Sequence, residues 1–336
     1  MAKGALRSAA IAGGESLLGK ELRDLLGDRL PGVKAKLVGS EDESLILTEQ
    51  AGEAVVMTGM DAESLAAADL VFLAGSQEGS RRAMTLLKES GNQAPVVDLS
   101  YALEELPEAR LRAPLAAPDS QAGGGRIHVI AHPAASVLAG FFYRLREKHT
   151  IVRAIAHVLE PASELGRAGV DELHQQTIQL LSFKKPVKKV FDAQSAFNLL
   201  ARYGEESPHK LQQAEQRIER HLATLLGPAG NIPMPSLRLV QAPVMHGHSF
   251  SVWVEMESAP DIEQMMESFT APEYDVRGPD LDAPDIVGMA GQSGVAMGVG
   301  EADRNDRKAV WFWMVADNYR VMAENALKVG QELLSA

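Results

Sequence analysis

His246 and His248 stand two apart in an apolar, strand-like segment, a spacing that turns both imidazoles to one face of an extended chain. With a third donor from Glu160, His157 or His132, the pair has the composition of a divalent-metal site. Without metal, the same groups are an acid–base set. Histidines in a cleft are more often hydrogen-bonded than ligating, so the expectation is no bound metal. Ser136 is the remaining hydroxyl nucleophile to weigh, and its place at a helix start suits a cap better. The chain has no cysteine, which removes disulfides, thiolate ligands and every mechanism through a thioester.

A second chemistry-bearing segment is Gly13-Gly14-Glu15-Ser16-Leu17-Leu18-Gly19. It joins a strand to a helix, where first-turn N–H groups and the positive helix end can receive a pyrophosphate. Gly13, Gly14, Ser16, Leu17 and Gly19 are therefore candidate cofactor contacts. Glycine at the middle position lets the backbone approach the phosphates, and Ser16 stands there. The competing reading is a tight turn in which Ser16 caps the helix. After the second strand, Gly39-Ser40-Glu41-Asp42-Glu43 occupies the place where this fold reads the adenosine ribose, with Ser40 as a contact. Three carboxylates disfavour a 2′-phosphate, so NAD is expected over NADP.

These groups need a scaffold, and the apolar pattern supplies one. Arg7–Gly14, Val33–Val38, Ala54–Met57, Leu70–Ala74, Pro95–Leu99 and Ile127–Ala131 read as short strands. Helical spacing over Glu15–Leu26 and Ser80–Lys88 falls between them, the grammar of a parallel sheet covered by helices. Past Ser136 the pattern changes: helices over Leu138–Glu147 and Ala168–Leu181, and strands over Ile151–Leu159, Val240–Met256, Val295–Val299 and Ala309–Val315. A helix over Ala316–Leu334 closes the chain. The fold class is α/β with two domains, as 336 residues allow.

Composition narrows the function classes. Forty-six per cent hydrophobic and 23% charged residues describe an ordinary folded chain. A net charge of −12 with no basic block gives nucleic acid no electrostatic footprint. No apolar stretch approaches the roughly 20 residues that cross a bilayer, so no membrane association and a cytoplasmic location are expected.

Taken together, order and spacing resemble the aspartate-semialdehyde dehydrogenase family over nearly the whole chain. The segments that carry this are Gly13-x-x-Ser16-x-x-Gly19, Asp98-Leu99-Ser100-Tyr101 and Ser163-Glu164-Leu165-Gly166-Arg167-Ala168-Gly169-Val170-Asp171-Glu172-Leu173. Phe197-Asn198, Gly247-His248-Ser249 and Ala316-Asp317-Asn318-Tyr319-Arg320 extend it. Phe191-Asp192-x-Gln194-x-Ala196-Phe197-Asn198-Leu199-Leu200 and Gln241-Ala242-Pro243-Val244 look most like the family's Usg-type branch.

The resemblance implies a Rossmann-like nucleotide-binding domain from residues 1–131 and 316–336, and an α+β dimerisation and substrate domain with a large mixed sheet from 132–315. It implies a homodimer and a reductive dephosphorylation of aspartyl phosphate through a cysteine thioester. The family's Asn-Pro-x-Cys falls on His132-Pro133-Ala134-Ala135, which puts Ala135 at the nucleophile position. A substrate-orienting glutamine falls on Glu160, and arginines that clamp the substrate fall on Gln241 and Glu104. His248, the general base, and Lys210, a substrate contact, stay in register, whereas Asn325 does not match the family's cofactor contact. Electrostatics then opposes aspartyl phosphate. The expectation is a paralogue that has lost the acyl-enzyme reaction and keeps dinucleotide binding and dimerisation. The alternative is an NAD(P)-dependent oxidoreductase on another substrate, with Glu160 and His248 as acid and base.

Overall fold

The structure, a computed structural model, describes residues 7–39, 46–50, 53–116 and 125–335, with the backbone alone at 46–50 and 53–56. The chain divides into two compact units, Met1–Ala131 with Met322–Ala336, and His132–Val321. Among the described residues, no helix is long and apolar enough to cross a membrane.

The first unit runs β1 (Arg7–Ala12), α1 (Leu17–Arg29), β2 (Val33–Val38), β3 (Ile46–Gln50), β4 (Glu53–Met57), α2 (Ala62–Ala66), β5 (Leu70–Leu73), α3 (Gln77–Glu89), β6 (Val96–Asp98), β7 (Ala109–Arg112) and β8 (Ile127–Ile130). Six strands form a parallel sheet in the order β2-β1-β5-β6-β8-β7, and β3 pairs with β4 as a separate hairpin. Both faces are covered, so the central strands are apolar throughout, as in Leu70-Val71-Phe72-Leu73. Alternation divides the strands between two cores: Ala9 and Ile11 pack with Leu22, Leu26, Phe72 and the closing helix, while Ala10 and Ala12 pack with Leu65, Met84 and Leu87. This is a Rossmann-like doubly wound sheet. Its strand order reverses between β1 and β5, where such sheets bind ligands.

The second unit contains α4 (Pro133–Arg146), β9 (Ile151–Glu160), α5 (Gly166–Leu181), α6 (Leu211–Leu226), β10 (Ser236–Gln241), β11 (His248–Met256), α7 (Ile262–Met266), β12 (Tyr274–Arg277), α8 (Ile286–Met289), β13 (Val295–Gly298), β14 (Glu301–Ala302) and β15 (Ala309–Ala316). The closing helix α9 (Asn318–Ser335) starts here and continues into the first unit. The sheet order is β10-β9-β11-β15-β13-β12, mixed in direction, with β14 against β15. Its inner face carries Phe250, Val252, Val254, Phe312 and Met314, and Phe141 of α4 packs edge-on to Phe312. The outer face holds the chain's three tryptophans, Trp253 registered opposite Trp311 and Trp313 opposite Ser251.

Two local expectations change, and one helix lies outside them. Val240–Met256 is not one strand: β10 ends at Gln241, and Gly247 at φ +85° turns the chain into β11. Helix α4 starts at Pro133, earlier than Leu138, because His132 caps it and proline suits the first turn. Helix α6 was not anticipated. Its apolar positions Leu211, Ile218, Leu222 and Leu225 are set in a largely polar sequence.

A buried polar group in the first unit gives a pH signature. His128 Nε2–H donates to the Gly125 carbonyl at 2.9 Å, and Nδ1 faces Arg112 Nη1 at 3.4 Å. Arg112 is itself paired with Glu332, and Arg110 adds positive charge nearby. Burial, with the arginines and against Glu332, holds the ring below its ordinary 6.5. The unfolded chain therefore binds more protons as pH falls through about 6.5, and stability falls with it. Urea midpoints should decline between about pH 7.5 and 5.5, and His128→Gln should flatten that decline. Identical pH dependence in the two proteins would contradict this assignment.

Candidate functional site

Three strand ends and a helix start meet in the second unit. Glu160 ends β9, Gln241 ends β10 directly opposite it in register, and His248 opens β11. His132 caps α4, its Nδ1 accepting the Ala134 amide at 3.2 Å while its own amide donates to His221 Nδ1 at 2.9 Å. Donor atoms of His132, Glu160 and His248 all lie within 4.8 Å of one another, and the three residues are buried. The two imidazoles meet edge to face at 5.7 Å between centroids.

Glu164, in the 3-10 turn Ala162–Leu165, joins this set. Its carboxylate lies 3.4 Å from His132 Nε2 and 3.8 Å from His248 Nε2. Asn318 holds it there, donating from Nδ2 to Glu164 Oε1 at 2.9 Å and accepting the Gly247 amide at 3.0 Å.

Glu160 has a different environment. Tyr203 Oη lies 2.8 Å from Gln241 Oε1 and 3.3 Å from Glu160 Oε1. One hydroxyl proton cannot serve both acceptors, and the shorter contact takes it. Burial first, and then Glu164, raises Glu160 well above the usual carboxylate range. A protonated Glu160 can then donate to Tyr203 oxygen, which completes the chain of donors. Burial alone would also raise Glu164, but His132 and His248 outweigh it and hold that carboxyl low. Burial draws His248 down to about 4, against the opposing pull of Glu164. Glu160 Oε2 and His248 Nε2 have no hydrogen-bond partner.

Other expected site residues lie elsewhere or have other roles. Gln241 is locked: its Nε2 donates to the Glu160 and Ala242 carbonyls, each at 2.9 Å. Lys210 is exposed, and its ammonium donates to the Glu205 carbonyl, so the structure does not bring it into the buried cluster. His157 is exposed on the outer sheet face, opposite to Glu160, and His246 precedes β11, 5.7 Å from the Tyr319 ring. Neither belongs to the triad. Ala135 is fully buried in the first turn of α4, and Ser136 beside it is buried with no partner for its Oγ. Ser136 is therefore not the cap. Tyr203 and Arg217, which acts electrostatically on Glu160, were missed because they arrive from segments with no local signature, and Glu164, although inside the family segment Ser163–Leu173, was given no role.

In the first unit, Ser16 caps α1: Oγ accepts the Gly19 amide at 2.8 Å and donates to the Ala74 carbonyl at 2.7 Å. Leu17 opens the helix, and the Gly13 and Gly14 amides donate to the Val38 carbonyl. Asp98 accepts the Ser100 and Leu103 amides, and Glu104 lies in the turn that follows. Asn325 Oδ1 accepts the Leu115 amide. Ser40 and Glu41-Asp42-Glu43 lie outside the described residues.

Comparison with known proteins agrees with this architecture. A USG-1 protein homolog of Pseudomonas aeruginosa is 29% identical over 350 aligned positions, covering 97% of each chain. The structure of a probable aspartate-semialdehyde dehydrogenase from Pseudomonas aeruginosa superposes with a TM-score of 0.86 at 26% identity, over 98% of each chain. An aspartate semialdehyde dehydrogenase from Candida albicans, solved with NADP, shares the fold at a TM-score of 0.67 and 17% identity, over 99% of each chain. The family model for the semialdehyde dehydrogenase dimerisation domain matches residues 143–321. With just over half of its length matched in this way, the chain belongs to the semialdehyde dehydrogenase family through that family's dimerisation domain.

Proposed function

We propose that the protein is a non-acylating member of the family: a homodimer that keeps a dinucleotide site and has lost the thioester reaction. The observation that carries this reading is the absence of cysteine from all 336 residues. Without a thiolate, no acyl-enzyme forms by the family route. The family resemblance puts the buried methyl of Ala135 at the nucleophile position, with Gln241 and Glu104 where the substrate's anions would be clamped.

The glycine turn lies at the switch point between β1 and β5, which supports retained dinucleotide binding. The acidic segment Glu41-Asp42-Glu43 favours NAD over NADP. The outer sheet face supports a homodimer: Ile155, Trp311 and Trp313 are exposed there beside Trp253, an aromatic surface of the kind found in interface cores. Redox chemistry on another carbonyl substrate, with Glu160 and His248 as acid and base, is the second reading, supported by their closeness.

The test is one preparation assayed three ways. Purified protein should sediment as a dimer, bind NAD at least as tightly as NADP by calorimetry, and give no phosphate-dependent cofactor reduction with aspartate semialdehyde. Ala135→Cys alone should leave the rate at background, because Gln241 and Glu104 remain. Turnover of aspartate semialdehyde by the unaltered chain, lost in His248→Ala, overturns the non-acylating reading. Turnover confined to other aldehydes and dependent on Glu160 supports the second.

A further inference from the structure

We infer that His132, Glu160 and His248 form a binding site for a zinc-type divalent cation. Their donor atoms converge within 4.8 Å from a helix cap and two strand ends, so rigid elements position each ligand. Two imidazoles and one carboxylate are a ligand set that zinc takes in sites with an open fourth position. In a tetrahedral site such donors stand roughly 3.3 Å apart, a contraction within reach of side-chain rotation.

The second observation is independent of the clustering. Glu160 Oε2 and His248 Nε2 are buried polar atoms with no hydrogen-bond partner, on two of the three residues whose donor atoms converge. Native chains leave few such groups unsatisfied, and an ion is one of the standard explanations. A dication supplies what both atoms lack.

Charge points the same way. Glu160 and Glu164 interact unfavourably across the cluster. A dication ligated by Glu160 would offset that repulsion, adding to the opposing charge of Arg217. Glu164, held by Asn318, lies beside both imidazoles and is placed either to steady them or to serve as a fourth ligand.

The cost falls on His132. Its Nδ1 accepts the Ala134 amide, which leaves the ring proton on Nε2, toward Glu164. Ligation through Nε2 would move that proton to Nδ1, which could then no longer accept the Ala134 amide, so the site works against the 3.2 Å cap bond of α4. With Glu164 steadying the imidazoles instead of ligating, the fourth coordination position would be open to water or to a substrate oxygen. This inference does not depend on the non-acylating reading, because metal content is measured without a semialdehyde.

The experiment is metal analysis of protein expressed with zinc in the medium and purified without chelator. About one zinc per chain is expected, and chelator-stripped protein should take up Co2+ with the visible absorption of a four- or five-coordinate ion. Glu160→Gln and His248→Ala should each weaken Co2+ binding by more than about a hundredfold, beyond what loss of a supporting group costs. His246→Ala should bind as the parent does. Less than a tenth of an equivalent or so in both zinc-grown and Co2+-titrated protein would overturn the site. So would stoichiometric metal that both ligand variants retain. Should His248→Ala fail to fold, zinc-edge anomalous scattering from crystals of the parent decides: a peak among the three side chains supports the site, and a peak elsewhere or none refutes it.

Discussion

Glu172→Ala should destabilise the second unit by about 3–5 kcal/mol, although Glu172 has no part in the buried cluster. Glu172 lies on α5, almost wholly buried, and its Oε2 accepts the amides of Lys189 and Val190 at 2.6 and 2.7 Å. Its Oε1 accepts the Phe191 amide at 3.1 Å. One turn later Gln176 completes the clamp: Oε1 accepts the Ser195 and Ala196 amides, and Nε2 donates to the Val187 and Ala193 carbonyls. Two side chains at i and i+4 thus supply hydrogen bonds that a loop without regular structure cannot make for itself.

The consequence reaches the site through packing. Phe191, fully buried, meets the Tyr203 ring edge to face at 5.5 Å, and Tyr203 bridges Glu160 and Gln241. Truncation at Glu172 orphans three amides, whereas Glu172→Gln keeps one acceptor oxygen and should cost about half as much. Hydrogen exchange is the sharper readout. In Glu172→Ala the amides of Lys189, Val190 and Phe191 should lose at least about a hundredfold in protection, in step with the urea midpoint. A loss under about 1 kcal/mol with protection intact would show that the loop does not depend on this carboxylate.

Much of the scaffold was legible because each signal is local. Leu70-Val71-Phe72-Leu73 and Val96-Val97 are apolar on both faces, as interior parallel strands must be, and β11 alternates because one face of its sheet is covered. The break before β11 was hidden, since Pro243 to Gly247 sits between two apolar runs, which Pro243, with no N–H to donate, and the left-handed Gly247 stop from merging. At the site, His248, Glu160 and His132 were nameable as chemistry-bearing types. Their convergence depends on strand register and a helix cap, which no spacing rule gives. Gln241 shows the other limit: the family resemblance reads it as standing where an arginine is expected, but in the fold its amide is fully bonded between two strands and Tyr203. Tyr203 and Glu164 come from segments whose apolar pattern is silent about them.

Gly13→Ala should cost the first unit about 3–5 kcal/mol, combining a left-handed alanine with an overpacked backbone contact. Gly13 leaves β1 at φ +83°, and a Cβ there would fall 2.3 Å from Gly75 Cα and 2.4 Å from Gly75 N. Those are backbone atoms at the end of β5, which is registered to β1 through Ala12 and Leu73, so relief requires parting two central strands. Gly19 is held by the same contact network, since its Cβ would fall 2.3 Å from the Gly13 carbonyl oxygen. The serine between them is less critical: Ser16→Ala removes the α1 cap for about 1 kcal/mol, and Ser16→Gly for a few tenths. A urea series on Gly13→Ala, Ser16→Ala and Ser16→Gly should give losses in that order. A Gly13→Ala midpoint equal to the parent's would mean that the β1 and β5 exits do not touch as described. The comparison also separates two demands on one turn. Packing by itself requires glycine at 13 and 19, so the support for a cofactor is the place of the turn at the switch point and not those two residues, whereas position 16 is free to be glycine at little cost. If Ser16→Gly gains dinucleotide affinity while stability barely moves, the serine hydroxyl that now closes on Ala74 is what limits phosphate approach.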